Sequence, residues 1–424
     1  MTKLRVLHIA TSDISGGAAI ASFRIHQALL GHGIDSEMLV LDKSSSHHEI
    51  KVAKSAALKP TRIRTYLGYA LMRLQKTENI NLHSPAIFGS GLIGKINRSN
   101  FDIINLHWIQ GEFLSVEDIG KISKPLVWTL HDMWAFCGAE HYTLGTRYIE
   151  GYNTNNRPND ERGVDLNKWV WNRKNKQWKR PMHIICPSSW LTKTAMSSKL
   201  MHNWPITNIS YPVNECTFRP CSLSEARLRT ACVERKHVIL FGAIGVHKDK
   251  RKGFDLMVDA LSKLGRFLNK DSDITIATFG YGKDLDIQLP FPVVNLGYIA
   301  DDNYLRYVYC SADVAVVPSR LDNLPQIALE SQMSGTPVVA FNIGGLADIV
   351  SHLQTGYLAR PYDTTELAYG IAWVIQQSDY KTREMSRERA LRKYLPHNIA
   401  SAYNDLYHTI LESRSRHAHE IVID

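Results

Sequence analysis

The chain has 424 residues, of which 44% are hydrophobic and 21% are charged. This balance is that of an ordinary globular protein, and it excludes a disordered, collagenous or coiled-coil chain. The formal net charge of +9 is uneven, since residues 1–212 hold 26 Lys and Arg against 16 Asp and Glu, while residues 213–424 hold 24 against 25. The first half therefore favours an anionic partner, whether nucleic acid, an acidic membrane surface or a phosphorylated substrate.

No apolar run approaches the roughly 20 residues that span a bilayer, and the start of the chain is too interrupted for a signal peptide. The six cysteines show no CxxC pair and no metal-ligand spacing. We therefore expect a cytoplasmic protein with free thiols and no metal.

Short apolar runs alternate with helical patterns along the whole chain, which predicts parallel sheets with helices on both faces. In the first half, strands are predicted at 5–10, 38–41, 101–107, 126–131 and 183–187, with a helix at 18–30. In the second half, strands are predicted at 238–242, 274–280, 293–296, 313–318, 337–341 and 355–359, with helices at 254–264, 304–310, 325–333 and 365–377.

A Pro- and Asn-containing stretch at 211–223 is the best linker, so the pattern restarts after it. We expect two doubly wound α/β domains, 1–212 and 213–395, facing each other across a cleft. Residues 396–424 would form a C-terminal helix that crosses back to the first domain, followed by a mobile tail. Open α/β sheets bind ligands beyond the carboxyl ends of their strands, so the chemistry belongs in the loops that follow strands.

Several such loops carry unusual residues. Gly16 and Gly17 separate the first strand from the first helix, where backbone amides could approach a phosphate, although a plain tight turn is the alternative. His131 follows the strand at 126–131 and could donate hydrogen bonds or act as an acid or base, or it could simply cap the strand. Lys252, in a cationic run that begins at Lys248, suits a diphosphate leaving group, against the alternative of a solvated loop.

The strongest signal is the stretch 318–330, PSRLDNLPQIALE. Asp322 lies in a loop after a strand, and Glu330 lies eight positions later in the helix that follows, so both carboxylates can point at one ligand. Asn323 and Leu324 would offer backbone amides at the positive end of that helix. Glu330 has no cation at helical spacing, which argues against a simple ion pair within the helix as the reason for it.

These residues resemble the retaining, GT-B-fold glycosyltransferases of family 4, the "group 1" family, and in particular its exopolysaccharide and O-antigen branch. The matching motifs are, in chain order, Gly16-Gly17, His131 in TLHDMW, PSSW at 187–190, Lys252-Gly253, Asp322 to Glu330 with SGTPVV at 334–339, and Gly344-Gly345 with Asp348. The resemblance implies the GT-B architecture of two Rossmann-like domains, with the acceptor on the first and the nucleotide sugar on the second.

The resemblance also implies a role for each matched residue. Glu330 would bind the ribose hydroxyls, Asp322 the hydroxyls of the donor sugar, and Lys252 the diphosphate, while Gly17 would place an amide near the phosphates and His131 would contact the sugar. The implied catalytic residues are His131, Asp322, Glu330 and Lys252, and the implied donor-binding residues are Gly16, Gly17, Lys252, Asn323, Leu324, Glu330, Gly344 and Gly345. No metal or other cofactor is expected if cations and helix dipoles stabilise the leaving diphosphate.

Two positions depart from the family pattern. The family carries an Arg after the strand-end glycine, but residues 242–247 read GAIGVH, so Lys248, Arg251 or Arg320 would have to support the diphosphate. The first acidic residue is Asp322 where the family has Glu. A non-catalytic nucleotide-sugar-binding subunit therefore remains an alternative, as does a GT-B-fold epimerase that acts on the nucleotide sugar itself.

Two basic stretches of the first half suggest an acceptor or membrane surface. Residues 54–76 hold six cations and no acid, and from Thr61 onward they carry apolar residues at helical spacing. Residues 168–180 interleave tryptophans with cations. The candidate contact residues are Lys54, Lys59, Arg62, Arg64, Trp171 and Lys174, with a solvated helix whose apolar face enters the core as the alternative.

The combined expectation is a metal-independent retaining glycosyltransferase that moves a sugar from a UDP- or GDP-sugar to a saccharide acceptor. The acceptor would be lipid-linked, in bacterial surface-polysaccharide biosynthesis, with possible contact to the inner face of an anionic membrane. No recognition motif supports a nucleic-acid partner.

Overall fold

Two parallel sheets organise the computed structural model of the chain, which describes residues 3–232, 236–242, 249–268, 273–280, 289–377 and 380–423. Packing divides the chain into a first unit, Met1–Pro212 with Pro396–Asp424, and a second unit, Val213–Leu395. None of the helices among the described residues is long and apolar enough to cross a membrane.

The first unit is built on a seven-stranded parallel sheet and a short antiparallel ribbon. Its strands are β1 (Arg5–Ser12), β2 (Asp35–Asp42), β3 (Ile50–Val52), β4 (Gln75–Lys76), β5 (Ile103–Leu106), β6 (Leu126–Thr129), β7 (Arg162–Gly163), β8 (His183–Cys186) and β9 (Ile206–Asn208). Its helices before the linker are α1 (Gly17–Gly31), α2 (Thr61–Met72), α3 (Ile93–Arg98), α4 (Val116–Gly120), α5 (Arg147–Glu150), α6 (Leu166–Gln177) and α7 (Ser189–Ser197). The sheet order is β3-β2-β1-β5-β6-β8-β9, and β4 pairs with β7.

The second unit has a six-stranded parallel sheet in the order β12-β11-β10-β13-β14-β15. Its strands are β10 (His237–Gly242), β11 (Ile274–Phe279), β12 (Val293–Asn295), β13 (Val314–Val317), β14 (Val338–Phe341) and β15 (Gly356–Ala359). Its helices are α8 (Leu223–Arg229), α9 (Phe254–Leu264), α10 (Asp302–Ser311), α11 (Gln326–Met333), α12 (Leu346–Ile349), α13 (Thr364–Gln376) and α14 (Tyr380–Tyr394).

The central strands are buried on both faces, which explains why they are continuous apolar runs rather than alternating ones. All four residues of β5, β13 and β14 are buried. The predicted α/β class with two Rossmann-like parallel sheets is therefore confirmed, and the predicted strands lie within one or two residues of the observed ones in most cases.

The last helix, α15 (Pro396–Ile423), packs on the first unit rather than on the sheet that precedes it in the chain. Asn105 of β5 donates a hydrogen bond of 2.8 Å to the Tyr407 hydroxyl, and the Thr129 hydroxyl lies 3.1 Å from that of Tyr403. Both tyrosines are buried, so these bonds join α15 to the core of the first unit. The helix continues through Ile423. The expected mobility of the tail stays a prediction.

Candidate functional site

Each sheet has a point where the strand order reverses, and there the loops diverge and leave room for a ligand. In the first sheet β1 lies between β2 and β5, and in the second sheet β10 lies between β11 and β13. Gly16 and Gly17 follow β1, and Asp322 follows β13. The sequence-derived candidates therefore lie at the switch point of their own unit.

In the second unit, one carboxylate holds two cations. Lys252 Nζ lies 2.6 Å from Asp322 Oδ2, and Arg251 Nη1 lies 3.2 Å from the same oxygen. The other oxygen, Oδ1, accepts a 3.0 Å hydrogen bond from the backbone amide of Asn323. The structure thus brings together the predicted Lys252 and Asp322 and adds Arg251, which had been only one of three candidates for the missing Arg.

The charge state of this cluster follows from its surroundings. Burial is the largest influence on Asp322 and opposes its ionisation, but Lys252 and Arg251 together outweigh burial and hold its pKa below the ordinary value. Asp322 is therefore ionised at neutral pH. Arg251 also pairs with Asp249 at 2.8 Å, so the cluster holds two cations and two carboxylates.

Glycines allow the loops of this cluster to approach each other. Gly253 has φ +69°, and a Cβ there would lie 1.9 Å from the carbonyl oxygen of Pro318. Gly344 has φ +59°, and its Cβ would lie 2.1 Å from the carbonyl oxygen of Asp322. Any other residue at these positions would clash with the loop that carries Asp322.

Several predicted donor contacts have other partners in this structure. The Asn323 amide is bonded to the Asp322 carboxylate, and the Gly345 amide donates to the Asp322 carbonyl oxygen at 3.0 Å. The Gly345 amide is therefore engaged with the Asp322 loop, and the assignment of Gly344 and Gly345 to donor binding stays a prediction. Leu324 is buried in the same loop just before α11.

Arg320 and Lys248 are the other two candidates for support of the diphosphate. Arg320 makes two hydrogen bonds, of 2.7 and 2.6 Å, to the carboxylate of Asp255, so its guanidinium is engaged away from Asp322. Its support of the diphosphate stays a prediction. Lys248 lies outside the described residues.

Glu330 lies in the middle of α11 and is buried. The hydroxyl of Tyr309, in α10, donates a 2.5 Å hydrogen bond to Glu330 Oε2. Sequence reasoning missed Tyr309, because a tyrosine in an amphipathic helix gives no sign of a partner 21 positions away.

In the first unit, a pocket of about 220 Å³ opens at the end of β1, and Gly16, Gly17 and Trp108 are among the residues that line it. Gly16 has φ +93°, which explains a glycine there. Gly17 begins α1, has no positive φ and has no atom near its would-be Cβ. The structure therefore gives no internal reason for a glycine at Gly17, which fits the close approach of a ligand.

His131 is nearly enclosed, and both of its ring nitrogens face protein groups. Nδ1 lies 2.7 Å from the Tyr211 hydroxyl, and Nε2 lies 3.1 Å from His107 Nδ1 and 3.3 Å from the Ser22 hydroxyl. Burial lowers the pKa of His131 to about 4, with Asp132 partly opposing. The histidine is therefore neutral, and a sugar could bind its ring only by replacing one of these partners.

Three of the candidate acceptor residues point inward. Arg64 donates to the carbonyl oxygens of Phe88 and Glu112 at 2.9 and 2.8 Å. Lys174 is fully buried and donates to three carbonyl oxygens, and Trp171 is buried beside the Tyr152 ring. These three are corrected, because groups buried in this way cannot meet a membrane or an acceptor, whereas Lys54, Lys59 and Arg62 are exposed.

Comparison with known proteins shows what this chain is similar to. Residues 235–377, about a third of the chain, match the family model described as glycosyl transferases group 1. The match lies within the second unit, so this segment is similar to the group 1 glycosyl transferases. An uncharacterised glycosyltransferase of Methanocaldococcus jannaschii is 31% identical over 195 residues, which are 41% of this chain and 49% of that relative. The matched part of the chain thus spans about half of that relative's length.

Solved structures extend the likeness to the whole fold. Sucrose-phosphate synthase of Thermosynechococcus elongatus superposes with a TM-score of 0.69 at 16% identity, covering 97% of this chain and 100% of that one. The Anabaena protein HepE, solved in complex with UDP-glucose, has a TM-score of 0.62 at 16% identity with the same coverage. The fold is therefore the α/β fold of GT-B glycosyltransferases, with two Rossmann-like domains in one chain.

Proposed function

We propose that this protein is a metal-independent, retaining glycosyltransferase that moves a sugar from a UDP- or GDP-sugar to a saccharide acceptor. The acceptor is a lipid-linked saccharide in bacterial surface-polysaccharide biosynthesis, at the inner face of the membrane. The observation that carries the proposal is the cluster of Lys252, Arg251 and Asp322 within a group 1 glycosyltransferase segment.

The cluster suits the charge that develops when a nucleotide sugar is cleaved. The bond from the anomeric carbon to the diphosphate breaks, so negative charge grows on the diphosphate and positive charge grows on the sugar. Lys252 and Arg251 supply two fixed cations for the first, and the carboxylate of Asp322 faces the second. Because a carboxylate has about four lone-pair sites, Asp322 can keep both cations and still accept sugar hydroxyls.

Glu330 is suited to bind the ribose hydroxyls. Its Oε2 is held by Tyr309, so the carboxylate orientation is fixed before a ligand arrives. A buried carboxylate that accepts hydrogen bonds from hydroxyl groups selects strongly for a hydroxylated ligand. A ligand without the hydroxyl would leave the buried carboxylate unpaired.

Arg251 weakens the main motive for a non-catalytic subunit. That alternative rests on the missing Arg in residues 242–247, yet Arg251 Nη1 lies 3.2 Å from the same carboxylate oxygen that Lys252 contacts. Two cations are therefore present where the family pattern requires two.

The test is donor turnover with a panel of UDP- and GDP-sugars, first without acceptor and then with short lipid-linked saccharides. Glu330→Gln is compared with Glu388→Gln, because Glu388 is an exposed residue of α14 with a weak ion pair to Arg392. We expect kcat/KM for the nucleotide sugar to fall by about a hundredfold in Glu330→Gln, as for about 2.8 kcal/mol of binding lost at a charged hydrogen-bond acceptor, and to be unchanged in the control. Equal turnover by both variants would remove Glu330 from the site.

The same panel separates the alternatives. Binding of nucleotide sugars without cleavage or transfer, with any acceptor, would indicate a binding subunit. A changed sugar still attached to its nucleotide would indicate an epimerase. Full activity in EDTA and an unchanged anomeric configuration in the product are expected for the proposed enzyme.

Helix α2 supports the membrane contact. Ile63, Tyr66, Leu67 and Tyr69 are between 46% and 65% exposed, and the helix is held to its unit by the buried Arg64. The helix therefore exposes these four apolar residues, which supports a surface contact over the alternative in which they enter the core. Exposed apolar side chains flanked by cations fit an anionic lipid surface.

Vesicle co-sedimentation tests this contact, with phosphatidylcholine alone or mixed with phosphatidylglycerol. We expect pelleting only with the anionic vesicles at low salt, and its loss in the Ile63→Ser, Tyr66→Ser, Leu67→Ser triple variant. Leu228→Ser, at an exposed apolar residue of the second unit, is the control. Undiminished pelleting of the triple variant would exclude α2, and no pelleting of the wild type would exclude the membrane.

A further inference from the structure

A row of buried histidines crosses the first sheet and ends at His131. His8 lies in β1, His107 follows β5 and His131 follows β6, and these strands are neighbours in the sheet. His8 Nδ1 lies 2.8 Å from His107 Nε2, His107 Nδ1 lies 3.1 Å from His131 Nε2, and His131 Nδ1 lies 2.7 Å from the Tyr211 hydroxyl. Three imidazoles and a phenol are therefore linked by consecutive hydrogen bonds.

Such a chain couples the tautomers of its members. A neutral imidazole carries one N–H and one lone pair, so a ring that donates at one nitrogen must accept at the other. Since His107 is bonded through both nitrogens, its tautomer decides whether His131 Nε2 is a donor or an acceptor. Only two arrangements keep every link, one with all protons on Nε2 and one with all protons on Nδ1.

The partners of His131 favour protons on Nε2. A separation of 2.7 Å is typical of an O–H donor, which points to the Tyr211 hydroxyl as donor to Nδ1. The Ser22 hydroxyl donates to the Ala18 carbonyl oxygen at 2.7 Å, so its oxygen is left as an acceptor for the Nε2 proton at 3.3 Å. One feature opposes this arrangement. The buried Nε2 of His8 has no partner within the described part of the chain, so a proton there would have no acceptor.

The row also stays uncharged. Burial is the first cause that lowers the pKa of His8, His107 and His131, and neighbouring histidines lower that of the first two further. The titratable groups that face the row are His26, whose ring lies 5.9 Å from that of His8, with Asp132 and Tyr211 at the other end. Among the described residues, Asp132 beside His131 is the one anion that would face a proton added to the row.

The geometry points to His107 and His8 as positioning residues that act through His131, holding it in the tautomer with its proton on Nε2. The tautomer itself does not depend on the proposed function. Only the binding of a sugar hydroxyl by the Nε2 proton rests on it. The one neutral N–H of His131 is then shared between His107 and a second acceptor. A sugar hydroxyl would become that second acceptor by replacing Ser22, the more distant of the two groups at Nε2. His131 offers no acid or base.

Imidazole ¹⁵N chemical shifts test the tautomer without any substrate. Histidine-labelled protein is compared with His131→Asn protein to assign the His131 signals. We expect the pattern of a neutral Nε2–H ring that does not titrate between about pH 8 and about pH 6. His107→Leu removes the acceptor and should give averaged signals, whereas His107→Asn keeps an acceptor at the same position and should restore the pattern.

Two further variants make the result specific to the row. His8→Leu should disturb His131 two links away, and it also serves if His107→Leu does not fold. His26→Asn should leave the His131 signals unchanged, because His26 is bonded to Ser36 outside the row. An Nδ1–H pattern in the wild type, an ordinary titration of His131, or signals indifferent to both leucine variants would overturn the inference.

Donor turnover is the second measurement. We expect His107→Leu to lower kcat about tenfold with little change in KM, the order for one lost hydrogen bond to a neutral group, and His107→Asn to recover most of it. A wild type that turns over no nucleotide sugar defeats the proposed function but leaves the tautomer result standing. An unchanged kcat in His107→Leu with averaged signals would refute the positioning role while leaving the glycosyltransferase proposal intact.

Discussion

Lys174 should make the first unit more stable as pH rises above 7, because its amine is buried without a paired carboxylate at hydrogen-bond distance among the described residues. Its side chain is fully buried in α6, and Nζ donates to the carbonyl oxygens of Trp134, Cys137 and Gly138, with the Trp134 ring centroid 3.6 Å away. Burial lowers its pKa from 10.5 to about 7, although Glu140 and other neighbours partly oppose the change. Carbonyl oxygens solvate the ammonium less well than water does.

The sign follows from proton counting. Above pH 7 the folded state has released the proton, while the unfolded chain keeps it until about pH 10.5, so folding is favoured progressively as pH rises through this window. Each pH unit is worth about 1.4 kcal/mol, and the contribution of Lys174 rises by about 2 kcal/mol between pH 7 and pH 9. For a unit of this size, that corresponds to a Tm difference of about 4 to 8 °C.

Scanning calorimetry of wild type and Lys174→Met between pH 7 and pH 9 measures this contribution. Other groups titrate equally in both proteins, so the Tm of the wild type should rise relative to that of the variant by the stated amount. Lys176→Met, at an exposed position of the same helix, should run parallel to the wild type. Parallel Tm curves for wild type and Lys174→Met would show that the buried amine is not deprotonated in the folded state.

Three further outcomes are expected. Tyr309→Phe removes the hydroxyl that holds Glu330, and KM for the nucleotide sugar should rise about tenfold, as for about 1.4 kcal/mol, in steady-state assays. Gly344→Ala forces a Cβ against a backbone carbonyl at positive φ and should lower Tm and turnover together, whereas Gly265→Ala, with open space at its Cβ, should change neither. Burial lowers the pKa of His26 to about 4, so the folded unit loses stability as pH falls from about 6.5 toward 4, and His26→Asn should reduce that acid sensitivity in pH-dependent denaturation.

Residues at strand ends could be predicted from the sequence because they depend on local pattern. Apolar runs that are buried on both faces identify β13 and β14, and the loop that follows β13 then places Asp322 at the edge where ligands bind. The amphipathic helix α9 is predicted with its observed bounds. The order of apolar and polar residues along the chain is therefore enough to predict the bounds of these elements and the loops that follow them.

Orientation within an element was harder to predict. The basic run before β4 correctly predicts a helix, yet Arg64 turns inward and Tyr66 turns outward. The Arg64 side chain donates hydrogen bonds to the carbonyl oxygens of Phe88 and Glu112, which lie 24 and 48 positions further along the chain. No helical-wheel pattern contains that information, because a buried arginine is stable only where distant backbone groups converge on it.

The sequence by itself determined the order of strands and helices, the two-sheet class and the polar residues that follow the strands, since these follow from the periodicity of neighbouring side chains. Only the tertiary structure decided the partner of each polar group. Lys252 meets Asp322 across 70 positions, and His8 meets His107 across 99. Such pairs are set by which strands lie side by side in a sheet, and burial then makes each unsatisfied polar atom unfavourable enough to select one arrangement of hydrogen bonds.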